Sequence, residues 1–310
     1  MKIQPVSWSI QDEWSSLEAV MVGTGIGMGD PPSLDETFDP QSRQHVLNNT
    51  YPTESQVSAE LDDLAALLEH QNVRVLRPDL VGMNQVFTRD IGLVIDDRFI
   101  MTHLVEDRVL EQAGLKSMLH RNTGTVLTPP AHVQMEGGDI MPMPGEIWVG
   151  YAKESDFNQF TTARTNEAAL DWLQEQFPER KVRGFELQKS DTDPSQNALH
   201  LDCCLAPLGM GHLILHPAGF KNPDDIAWLH TQYTAQMRLE LSSLEMEKMH
   251  GNVLSISPNR VISSIGFDRT HEQMKRWGYD VLVIDLSEAA KMGGLIRCST
   301  MPLRRQSQTV

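Results

Sequence analysis

A strand–turn–strand–helix–strand order recurs along this chain, and that recurrence limits the folds open to it more than any single motif does. The units open at Asp90, Asp139, Asp202 and Asn252, at spacings of 49, 63 and 50 residues. DIGLVIDDRFIMTH reads as a hairpin about an Asp-Asp turn, followed by a helix over 105–119 and the strand TVLTPP. DIMPMPGEIWVGY turns at Pro-Gly and leads to a helix over 166–177 and the strand VRGFEL. DCCLAPLGMGHLILH turns at Gly-Met-Gly and runs into a helical region over 224–248. NVLSISPNRVISS turns at Pro-Asn, ahead of a helix over 269–277 and a strand over 280–286. These readings rest on short apolar runs separated by turn residues and on helical spacing between them. A degenerate or permuted fifth unit can be assembled near the N-terminus. It would use a strand over 17–23, helical spacing of apolar residues within 53–71, and a strand over 73–78. Between them, residues 25–40 are rich in Gly, Pro and Asp and read as loop. Units repeating near fifty residues suit modules arranged around an axis, where a polar residue at the same place in each would point inward. An ordinary α/β domain with hairpins has the same element order and stays open at this level.

No long linker or low-complexity run divides the 310 residues, so one domain over 1–310 is the simpler organisation. Against 42 acidic residues stand 26 Lys and Arg, a formal net charge of −16. Such a surplus argues against nucleic acid or an anionic membrane as partner, while leaving a small cationic ligand open. The cysteines are Cys203, Cys204 and Cys298. Two of them are adjacent, so no disulfide framework is possible and a reducing, cytoplasmic setting fits. No stretch approaches 18 uninterrupted apolar residues, so no membrane span is expected.

Four segments concentrate reactive side chains: NQVFTRD (84–90), MEGGD (135–139), HLD (200–202) and GGLIRCSTMPL (293–303). Cys298 is the strongest nucleophile candidate. It follows a Gly pair that lets backbone approach a ligand, and Arg297 beside it would favour the thiolate. A buried inert cysteine is the plainer alternative. His200 can serve as general acid and base. If it lies on a strand, Asp202 two residues on shares its face. A hydrogen-bonded core histidine is the plainer alternative here. Asp90 and Asp202 open two different units, and two converging carboxylates call for a cation between them. A planar guanidinium matches that need bidentately. Alone, Asp90 would more often be a turn residue. Glu136 and Asp139 flank Gly137-Gly138, where Glu136 could accept from His200 or from substrate; solvated acids on a hairpin bulge are the alternative. The cluster His200, Asp202, Cys203, Cys204 is dense in metal-ligand types, but no second ligand pair completes it, so no metal is expected. GTGIGMGD (23–30) superficially echoes a dinucleotide loop, yet Pro31-Pro32 stand where its helix should begin.

Taken in order, FTRD, EGGD, HLD and GG…RCSTMPL resemble the guanidino-group-modifying superfamily, which includes arginine deiminase, dimethylarginine dimethylaminohydrolase and the glycine and inosamine amidinotransferases. The resemblance spans roughly Trp14 to Arg305. It implies a five-bladed α/β propeller, the pentein fold, of ββαβ units around a central pocket. By this resemblance Cys298 attacks the guanidinium carbon and His200 is general acid and base, with Glu136 its acidic partner. Asp90 and Asp202 hold the guanidinium, and Asn84, Phe87, Asp139 and Gly294 contact substrate. Arg108 and Arg164 align with arginines that hold an α-carboxylate, the second across an apparent insertion over 153–162. The resemblance implies no cofactor, an arginine-like guanidino substrate, and a homodimer as an assembly open to the chain. RCSTMPL, FTRD and EGGD resemble the deiminase branch. Gly294-Leu295 resembles the dimethylarginine hydrolases, and EWSSLEAVMVG and TNEAALDWL resemble the amidinotransferases. The leading expectation is a hydrolase of the guanidine C–N bond. Amidino transfer to an amine and non-catalytic guanidine binding are the alternatives.

Overall fold

In the computed structural model, residues 5–37 and 39–306 are described; the domain expected over 1–310 extends beyond them at both ends. Five three-stranded sheets share one plan, an antiparallel hairpin whose second strand takes a parallel third strand. The second blade is β3 (Gly92–Ile95), β4 (Arg98–Met101) and β5 (Thr125–Leu127); the third is β6 (Ile140–Met143), β7 (Glu146–Tyr151) and β8 (Lys181–Glu186). The fourth is β9 (Leu205–Leu208), β10 (His212–Leu215) and β11 (Arg238–Glu240), and the fifth β12 (Leu254–Ser257), β13 (Arg260–Ser264) and β14 (Asp280–Ile284). The first blade is permuted. Its β1 (Leu17–Val22) pairs in parallel with β2 (Arg74–Leu76), and its outer hairpin partner is the C-terminal strand β15 (Thr300–Arg305), with Met21 opposite Met301. This pairing brings the first and last strands of the chain into one sheet.

Five apolar clusters, one per junction, hold the ring together. Met21 and Met301 of the first blade pack with Val94 and Phe99 of the second. Ile95 and Ile100 meet Ile140 and Ile147. Met141 and Trp148 meet Leu205 and Leu213, and Ala206 and Ile214 meet Val253 and Val261. Leu254 and Ile262 close the circle against Val20 and Val22. Each buried Leu, Ile or Val contributes about 1.5–3 kcal/mol of transfer free energy. The helix Glu54–His70 covers the last junction. Thr53 caps it in a reciprocal box with Gln56, and Val57, Leu61, Leu64 and Leu68 are buried on one stripe.

Two expected elements differ. The helix expected over 105–119 is a 3-10 stretch, Glu106–Leu115, followed by a short α-helix, Lys116–Arg121. Tight 3-10 winding stacks positions i and i+3, and here it stacks Arg108 on Glu111, 2.8 Å apart. The helical region expected over 224–248 is a helix Pro223–Gln232, the strand β11, and a helix Ser243–Glu247. Its middle, Met237-Arg-Leu-Glu-Leu241, alternates with period two and pairs with β10. Among the described residues no helix is long and apolar enough to cross a membrane.

Candidate active site

The residue that opens each blade stands at the axis. Asp90, Asp139, Asp202 and Asn252 precede β3, β6, β9 and β12 by one to three residues. Because β15 is the outer hairpin strand of the permuted blade, Cys298, two residues before it, is the fifth opening. Several openings accept a backbone N–H from the next blade. Asp90 Oδ1 takes Gly138 N at 3.2 Å and Asp139 Oδ1 takes Leu201 N at 2.9 Å. Asn252 Oδ1 takes Arg297 N at 2.9 Å, and the Cys298 carbonyl takes Arg89 N at 3.0 Å. This approach requires a bare Cα at Gly138, where a Cβ would lie 2.7 Å from the His200 ring and 3.0 Å from Asp90 Oδ1.

Cys298, His200, Asp90, Asn84, Phe87, Arg108 and Arg164 line one cavity of about 210 Å³. His200 Nε2 lies 2.8 Å from Glu136 Oε2, and its Nδ1 is 3.7 Å from Asp90 Oδ1. Burial disfavours the imidazolium, but Asp90, the Glu136 hydrogen bond and Asp139 outweigh it and raise His200 to about 9. Burial likewise opposes ionisation of Glu136, yet Arg164, His200 and Arg108 hold its carboxyl well below the usual range. Cys298 Sγ lies 3.6 Å from Asp202 Oδ2 and 3.1 Å from Asn252 Nδ2. Burial, then the charges of Asp202 and Asp90, push this thiol well above its ordinary value.

That last result corrects one expectation. Arg297 does not bias its neighbour toward thiolate. Its guanidinium turns away beneath the site, to Asp202 at 2.8 Å, Glu13 at 3.1 Å and the Ile140 carbonyl at 3.0 Å. A second correction concerns His200 and Asp202, which do not share a strand face. His200 is extended, but Leu201–Cys203 is a 3-10 turn. Asp202 still reaches the sulfur because the turn folds it inward. Neither Asp139 nor Asp202, both expected to contact substrate, is at the cavity wall: Asp202 lies behind Cys298, held by Arg297. Asp139 accepts from Thr165 Oγ1 at 2.6 Å on Oδ2 and from Leu201 N on Oδ1, so it fastens the third blade to the segment carrying His200. Gly293, with φ of 83°, lines the cavity, whereas Gly294 packs under the Phe87 ring.

Both expected carboxylate-binding arginines stand on site acids. Arg108 reaches Asp90 at 2.8 Å and Glu111 through Nε and Nη2, and Arg164 bridges both oxygens of Glu136 at 3.2 and 3.3 Å. Asp90, Glu136 and His200 have ligand atoms within 4.8 Å of one another, a spacing that would suit a cation. Arg108 on Asp90 and Arg164 on Glu136 already stand against those carboxylates. Residues that sequence reasoning missed are Asn252 and the loop acid Asp39, which forms part of the wall and accepts from Ser42 N at 2.8 Å. Asn252 carried a readable signal, its place as a unit opening; Asp39 lies in a loop whose course nothing in its composition fixes.

A family model described as "N,N dimethylarginine dimethylhydrolase, eukaryotic" matches residues 36–305. The uncharacterized protein YkgA of Bacillus subtilis (strain 168) is 31% identical over 242 residues, covering 77% of each chain. The L-arginine:L-lysine amidinotransferase of Pseudomonas savastanoi pv. phaseolicola is 23% identical over 345 aligned positions, covering 96% of this chain and 94% of that one. Among solved structures, the product-bound N-terminal domain of ArgZ, a cyanobacterial arginine dihydrolase, matches with a TM-score of 0.76 at 18% identity, over 94% of this chain and 98% of that one. The shared fold is the pentein propeller that the motif order implied.

Proposed function

The chain belongs to the N,N dimethylarginine dimethylhydrolase family, among the guanidino-group-modifying enzymes, and from that premise we propose that it hydrolyses the guanidine C–N bond of arginine or a close derivative. The observation that carries this reading is one cavity lined by Cys298, His200 and Asp90, with Glu136 and Asp202 directly behind them.

At rest the sulfur is a thiol and His200 an imidazolium. A guanidinium entering beside Asp90 counters the charges of Asp90 and Asp202 that hold the thiol protonated, so binding the cation lets the thiol proton pass to solvent at the cavity mouth. The thiolate then adds to the central carbon, which the carboxylates hold in place. His200 gives its proton to the departing amine, the C–N bond breaks, and an amidino-thioether remains on Cys298. Neutral His200 next takes a proton from water, whose oxygen adds to the same carbon. The C–S bond breaks, its electron pair returns to sulfur, the adduct's hydroxyl proton is given up as the ureido carbonyl forms and the thiol is restored, and a ureido product leaves. Glu136 keeps the ring oriented throughout and favours its cationic form before the first step and after the second. We take the chain to act as one cytoplasmic catalytic unit without a cofactor.

A protonated His200 is needed for the first half, so turnover is expected to fall as pH rises through about 9; a profile flat to pH 10 or above would contradict this. Gly294→Val should drive the Phe87 ring into the cavity, since even a Cβ there meets ring carbons at 2.7 and 2.8 Å. The expected result is a KM raised about tenfold with a smaller change in kcat, and an unchanged KM would contradict it.

Near-full-length similarity to an amidinotransferase favours a second reading, transfer of the amidino group to an amine. A mass-spectrometric screen of guanidino compounds, run with and without amine acceptors, separates the two. Hydrolysis gives ureido or deguanidinated products without an acceptor. Dependence on an amine indicates transfer, and binding without turnover sinks both.

A further inference from the structure

We propose that Asn252 stabilises and aims the thiolate of Cys298 through its side-chain amide. This rests on the reading of Cys298 as nucleophile. Asn252 is fully buried, with 0% of its surface exposed. Its Oδ1 accepts the backbone N–H groups of Arg297 at 2.9 Å and Cys298 at 3.3 Å. Two backbone donors fix which end of the amide faces them, so the NH2 end is the one directed at the sulfur, 3.1 Å away. On its other side the sulfur meets Asp202 Oδ2 at 3.6 Å. The sulfur therefore sits between an acceptor suited to S–H and a donor suited to S⁻. Burial and the charges of Asp202 and Asp90 work against ionisation, with the Leu295 backbone favouring it. Asn252 adds a side-chain donor that does not titrate.

The choice of an amide has a physical reason. A lysine or arginine at this place would lower the thiol pKa further, but would repel a cationic substrate entering beside Asp90. A neutral amide supports the anion without that cost. The same N–H serves twice, when the thiolate forms and when the C–S bond breaks and the electron pair returns to sulfur. The axial arrangement puts the group there: Asn252 and Cys298 are neighbouring blade openings, and the amide bridges the two blades.

The test follows Cys298 alkylation by iodoacetamide against pH, read on the Cys298 peptide by mass spectrometry, in the substrate-free protein. Asn252→Asp keeps an oxygen for both backbone N–H groups and removes the donor, but adds a negative charge that itself disfavours the thiolate, so the uncharged Asn252→Ser is the deciding variant. Alkylation near neutral pH should slow about tenfold to a hundredfold, with the midpoint raised by about one to two pH units and the high-pH plateau kept. Asn252→Ser, too short to span to the sulfur, should move the midpoint the same way and covers the case in which the aspartate variant does not fold. The acid limb of kcat/KM should follow in either variant. An unmoved midpoint in a folded variant overturns the proposal, whatever happens to turnover. Because alkylation needs no substrate, failure of the wild-type protein to turn over any guanidine would sink the functional reading and leave this test standing.

Discussion

Cys298→Ser is expected to lose guanidine turnover by about 10⁴-fold or more while the protein stays folded. The hydroxyl is nearly isosteric with the thiol and keeps both neighbours, donating to Asp202 and accepting from Asn252. Those contacts make a stable resting state and a poor nucleophile. A serine hydroxyl would have to ionise beside Asp202 and Asp90, which already push a far more acidic thiol upward. Substrate binding, carried by the carboxylates, should survive and be measurable by calorimetry. Turnover within about tenfold of wild type would refute the assignment of Cys298.

Glu136→Gln is expected to damage stability and chemistry together. Glu136 is completely buried, takes Nη1 of Arg164 on both oxygens, lies 3.8 Å from Arg108 and anchors His200. Removing its charge weakens the pairing of the buried Arg164 guanidinium, which costs about 1–3 kcal/mol. His200 also loses a support for its proton, so the alkaline limb of activity should move down from about 9. The stability linkage has a definite sign. A histidine raised above its unfolded value near 6.5 stabilises fully below that pH, and the contribution is lost as pH rises through about 9. Glu136→Gln should flatten that decline. Denaturant unfolding between pH 6 and 10 checks both effects. A loss under about 0.5 kcal/mol with an unmoved limb would contradict the assignment.

Most of the ring was legible because it is written in local pattern. Hairpins about Asp96-Asp97, Gly145 and Gly211 have the residues such tips require, with φ of 53°, 72° and 79° at Asp96 and the two glycines. What stayed hidden depends on contacts distant in sequence. Thr300–Arg305 carries no mark that it pairs with Leu17–Val22, so the C-terminal loop read as separate from the repeat although Cys298 is a blade opening like Asp90. Arg297 reads locally as a cation beside a thiol, yet Glu13 and Asp202 lie too far along the chain for its turn away to be foreseen. Met237–Leu241 had a strand alternation in plain view, but the helical spacing upstream swallowed it. The i,i+2 rule failed at His200 because it presumes a strand where the chain turns.

The most direct test of the whole account is the covalent step. The protein should be mixed with a guanidine substrate found in the screen, quenched in acid within one turnover, digested and analysed by mass spectrometry. An amidino group on the peptide carrying Cys298, absent when substrate is omitted and chased away on longer incubation, is the predicted result. Rapid turnover with that peptide unmodified at every quench time, or the adduct on another residue, would contradict it.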